Sequence, residues 1–214
     1  MDVLPLRSLI AAITLSYSRC YKMQSLLRRT NSRKGLEMDL TNRETWTALH
    51  GMLFGALFLL AFAGGMAGLW SLRPEWVTVN GLQERMSRLR LGVTSMAVIA
   101  WLTVITGTWI VYPWYRAPAP KDATDLTDYP KALLLATPGK EDWHEFGMEW
   151  KEHVAWISPI LATAVAFIVV YYGNQLIVDK KLRYLTMTLF VLAFAAAGIA
   201  GLLGAFITKS APLQ

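Results

Sequence analysis

The sequence predicts an all-α integral membrane protein: a four-helix bundle of up-down-up-down order, with a long, partly helical loop between helices 2 and 3. Three observations predict it. Four apolar stretches, 46–70, 92–112, 154–178 and 184–208, contain no Asp, Glu, Lys or Arg. Each is longer than the roughly 20 residues that cross a hydrocarbon core. The chain is 54% apolar and carries 9 Trp and 8 Tyr, rings that favour the headgroup region of a bilayer. A soluble helix of this length would show a polar stripe, and in lipid a helix is the element that pairs its own backbone groups.

Taken in order, residues 1–37 form a basic N-terminal extension, with seven Lys or Arg and no acid between Asp2 and Glu37. The apolar run from Leu9 to Leu15 is too short to span. The extension reads as a targeting segment, as a basic cytoplasmic tail, or as an upstream piece ahead of a start at Met38. The last reading is preferred, because Met38-Asp39-Leu40-Thr41-Asn42 leads straight into a helix. Thr41 or Asn42 is placed to cap it, with Glu44 in the first turn. The four-helix domain is then 38–214.

The first helix carries His50 about one turn inside Trp46, followed by Gly51 and Gly55. Residues 71–91 hold Arg73, Arg85, Arg88 and Arg90 against Glu75 and Glu84, and 179–183 hold Lys180, Lys181 and Arg183 against Asp179. Basic residues in short loops stay cytoplasmic, which places both connections inside. The second helix ends at Pro113, in Tyr112-Pro113-Trp114-Tyr115-Arg116. The segment 113–153 holds five basic and eight acidic residues and lies outside, with a helical lead-in near 141–153. Pro159 sits in the first turns of the third helix, where a missing N–H costs little. The fourth helix carries Gly198, Gly201 and Gly204. Connections of 21 and 5 residues make neighbouring helices antiparallel.

This order brings His50, His144 and His153, all the histidines of the chain, to one face of the membrane. His50 and His153 on parallel helices are predicted to hold one b-type haem or to border a quinone site near the outer face. Arg116 is placed to pair with an anionic group such as a haem propionate, and Trp114 and Tyr115 to flank a quinone ring. The same histidines in a packing face of small residues need no cofactor at all. Glu145, Glu149 and His153 share one face if 145–153 is helical. Glu149 with His153, His50 and His144 is therefore the candidate set for an interfacial metal.

Other chemistries find little footing. Cys20 stands alone, which excludes an internal disulfide or a Cys-held zinc or iron–sulfur site from this chain. No catalytic Ser/His/Asp series, phosphate-cradling loop or zincin motif is present. No charge sits mid-bilayer, as an ion-coupled transporter requires. The net charge of +6 lacks the arginine–aromatic stripe of a nucleic-acid surface, so the partner it implies is lipid and not nucleic acid.

The leading expectation is a redox-linked, multi-pass subunit of a bacterial inner membrane or its equivalent, with other membrane subunits as partners. The alternatives are a non-catalytic structural or accessory subunit, or an interfacial metal-binding membrane protein. The layout resembles small membrane b-type cytochromes and accessory subunits of respiratory or photosynthetic complexes, in architecture alone; no motif carries individual residues across.

Overall fold

A computed structural model describes residues 40–74 and 79–212. The N-terminal extension lies outside the described residues. Four helices are long and apolar enough to cross a membrane: Asn42–Trp70, Gly81–Tyr115, Trp143–Tyr172 and Lys180–Ser210. Among the described residues there is no strand. Apolar side chains such as Leu60, Leu102, Ile160 and Leu192 stand exposed along the four spans. That costs little against acyl chains and would be costly over this area in water.

The first span starts at the predicted cap. Thr41 Oγ1 accepts from the Glu44 N–H at 3.2 Å, and the Glu44 carboxylate accepts from the Thr41 N–H at 2.8 Å. This reciprocal pair satisfies two donors that the first turn leaves open. The fourth span is capped by Asp179, whose carboxylate accepts from Lys181 N at 2.8 Å and Leu182 N at 3.1 Å.

The bounds of the second and third spans differ most from the sequence reading. The second span is already helical well before Gly92, through Arg85, Arg88 and Arg90. Arginines are good helix formers, and Glu84 pairs with Arg88 one turn on. Pro113 does not end this helix, which runs to Tyr115 with the proline in its last turn. The third span begins at Trp143 and ends at Tyr172, not at Val154 and Val178; Gln175–Val178 is a separate short turn of helix. Much of the expected outer loop is therefore helix, including Pro130–Ala136.

The first span packs on the second and fourth, and the third packs on the second and fourth. The main core sits toward the basic connections, where Phe58, Leu69, Val93, Val165, Val169 and Phe190 are buried together. Gly65 lets the Phe190 ring in: a Cβ there would lie 2.8 Å from Phe190 Cε1. Arg183, only 3% exposed, holds this end closed. Its Nη1 donates to the carbonyls of Leu72 (2.9 Å), Leu176 (3.0 Å) and Ile177 (3.1 Å). One guanidinium thus answers open carbonyls just past the first span and in the short helix after the third, where the helix dipole also favours a cation. At the opposite end a smaller cluster gathers Tyr115, Leu134, Met148, Ile207 and Ala211. Between the two clusters the histidine half of the molecule opens into a cleft.

Candidate functional site

Three stretches of the wider π-helix occur among the described residues, and all three lie at the histidine end: Leu49–Gly55, Gly107–Val111 and Trp143–Met148. Such turns concentrate at functional sites because they shift the phase of the side chains that follow. The first contains His50. The second begins with the glycine that His50 rests on. The third contains His144.

His50 is half-buried. Its Nδ1 lies 2.8 Å from the Thr103 carbonyl of the second span, with the Thr106 hydroxyl at 3.4 Å. A carbonyl oxygen only accepts, so Nδ1 carries the proton and Nε2 keeps the lone pair. Gly107 makes the seat: a Cβ there would fall 2.6 Å from His50 Cε1 and 3.2 Å from each ring nitrogen. Thr103 and Thr106 return their own hydroxyl protons to carbonyls one turn back, at 2.8 Å (Ile99) and 2.7 Å (Leu102).

His153 is exposed, and its Nδ1 donates to the Glu149 carbonyl at 2.7 Å. Its Nε2 is therefore also the free nitrogen. His50 and His153 both line one cleft of about 1120 Å³, together with Gly51, Gly55, Gly107, Gly201 and Gly204. The small residues leave room that larger side chains would fill.

The other predicted site residues are placed differently. His144 is buried: it is 6% exposed and its Nδ1 shares a 2.9 Å hydrogen bond with the Tyr115 hydroxyl. Arg116 is engaged with acids of the third span, donating to Glu149 at 2.6 Å and Glu152 at 3.4 Å. The Glu149 carboxylate accordingly answers Arg116, while its backbone carbonyl orients His153. Among the described residues no group of three or more His, Cys, Asp or Glu is arranged to hold a metal. Tyr115 is buried, stacks on Tyr112 and lines the cleft, whereas Trp114 is not among the lining residues.

Two residues of this site were not singled out from the sequence. Lys151 lines the cleft, with its Nζ 3.0 Å and its Cε 3.3 Å from the point a Gly204 Cβ would occupy. Ser158 also lines it, 4% exposed, with its hydroxyl unpaired among the described residues. Lysine inside a polar lead-in reads as surface charge. Only the fold shows that it turns toward the fourth span. A haem fits the donor set in one respect: an imidazole whose Nδ1–H is fixed by a carbonyl presents a correctly oriented Nε2. Compared with protein families, curated proteins and solved structures, the chain finds no match.

Proposed function

We propose that the chain is an up-down-up-down transmembrane bundle acting as a redox-linked subunit, with a b-type haem held in the histidine cleft. His50 Nε2 and His153 Nε2, which line the same cleft, would hold the haem iron. The observation that carries this reading is the pair of imidazoles lining one small-residue cleft, each with its Nδ1–H tied to a backbone carbonyl. The bound haem would supply one-electron chemistry. The chain fixes the tautomers through Thr103 and Glu149, seats the His50 ring on Gly107, and surrounds the site with apolar helix. Retention of basic connections in the cytoplasm puts 71–91 and 179–183 inside, and the cleft near the outer face.

The test is a reduced-minus-oxidised spectrum of the detergent-purified full chain, expressed with ample haem. A Soret band with a sharp α band is expected. Its loss in both His50→Ala and His153→Ala is expected too, since a low-spin centre needs both ligands. Absence of any haem band removes the reading. Loss in His50→Ala alone removes His153 as the second ligand and keeps His50 as the first.

A second role rests on a different observation. A groove of about 910 Å³ toward the basic connections is lined by Gly64, Gly65, Gly68 and Gly92. At Gly64 and Gly92 a Cβ would meet nothing within 4 Å. Open small-residue faces of this kind let a foreign helix approach closely, which suits an accessory subunit packed on a larger membrane partner. Co-purification of membrane subunits that is lost when Gly64 and Gly92 become leucine would support it.

A further inference from the structure

We propose that the ligand of the histidine cleft is an acidic amphiphile, an apolar body bearing a carboxylate or similar anion, and that Lys151 Nζ receives the acid. This rests on the same cleft but not on the identity of the ligand as haem. The charges that line the cleft are Glu44, Lys151, Glu152 and Lys209. Both acids are already answered within the protein. Glu44 accepts from the Thr41 N–H in the capping box, and Glu152 accepts from Arg116.

Lys151, half-buried in the polar lead-in of the third span, makes no hydrogen bond or ion pair among the described residues, and its neighbour Glu152 is already engaged by Arg116. Its stem runs along Gly204, where any larger residue would displace it. Ser158, buried and unpaired on the same cleft wall, is a second polar group left open to a ligand. A buried hydroxyl without a partner is uncommon and calls for an occupant that supplies one. The cleft therefore combines small-residue walls, a half-buried cation at Lys151, a second, exposed one at Lys209, and an unpaired hydroxyl. Those are complements to an apolar body with an anionic group, and a neutral ring would leave the ammonium unanswered.

The experiment compares acids with their esters on the purified, haem-free full chain. Metal-free protoporphyrin IX and its dimethyl ester are titrated by porphyrin fluorescence. Oleate and methyl oleate are titrated by their displacement of the porphyrin. The acid is expected to bind about tenfold or more tightly than its ester, as a charge-assisted hydrogen bond implies. The preference is expected to disappear in Lys151→Met and Lys151→Gln, and to survive in Lys151→Arg and Lys209→Gln. Helical circular dichroism and a single gel-filtration peak identify variants that fold. If Lys151 variants do not fold, the acid–ester comparison on the parent chain and on Lys209→Gln still decides the matter.

Equal affinity of acid and ester overturns the proposal, as does a preference that survives Lys151→Met or failure of both acids to bind. A protein with no haem band but a Lys151-dependent acid preference would end the haem reading and leave this one standing. Preference for protoporphyrin without preference for oleate marks a porphyrin carboxylate as the source, and preference for both marks a general fatty or lipid acid.

Discussion

At His50, one imidazole is fixed by three neighbours on another helix: the Thr103 carbonyl, the Thr106 hydroxyl and the bare face of Gly107. This gives a sharp test. Gly107→Ala places a methyl group within the ring's own space, and overpacking of this kind costs about 1–3 kcal/mol. The variant is expected to lower stability in detergent and to reduce occupancy of the cleft. His50→Ala combined with Gly107→Ala is expected to recover most of the stability, because the methyl then has room. A double-mutant cycle without coupling of at least about 0.5 kcal/mol would show that the two residues do not touch. Tyr115 and His144 form the second polar contact at this end. Tyr115→Phe leaves a buried imidazole nitrogen unpaired and is expected to cost about 1–3 kcal/mol in thermal or denaturant unfolding, with the helix content unchanged. The chain spacing already gathered the histidines at one end. It did not reveal that His144 would be buried, because its partner lies 29 residues away in sequence.

Between elements, the two ends of the molecule are held by different means. The end with the basic connections is closed by packed apolar side chains and by Arg183, which binds three carbonyls. Arg183→Met keeps much of the stem but leaves those carbonyls open in a water-poor site. It is expected to destabilise the fold by about 1–3 kcal/mol, the range for buried polar groups left without a partner. Arg183→Lys should recover part of that, since one ammonium lacks the fork of donors. The sequence read Arg183 as one more basic residue setting orientation. Its structural work was hidden because backbone carbonyls leave no trace in side-chain patterning. At the other end, π turns in three spans and a break at 155–156 separate the cleft-lining positions from simple 3.6-residue phasing. Regular phasing therefore puts Glu145, Glu149 and His153 on one face and gives no sign that Lys151 lines the cleft.

For the whole molecule, the proposed orientation has its own test. With Cys20 replaced by Ser, single cysteines at Ala123 and Lys180 are expected to react with an impermeant maleimide from opposite sides of intact vesicles. Ala123 should be labelled from the outer face. Labelling of both from one side would refute the four-crossing order, and Lys180 labelled from outside would invert it. The four spans were legible in the sequence because lipid imposes a one-dimensional rule: a run without charge, long enough to cross, with its backbone bonds closed inside the run. The cap at Thr41 was legible for a similar reason, since a capping box is built from residues three apart. The tertiary structure alone decided which groups face the cleft. The seat at Gly107, the Thr103 carbonyl that fixes His50, the capture of Arg116 by Glu149 and Glu152, and the inward turn of Lys151 all depend on helical phase and on the approach of neighbouring helices. Packing sets both, and a hydropathy pattern does not encode them.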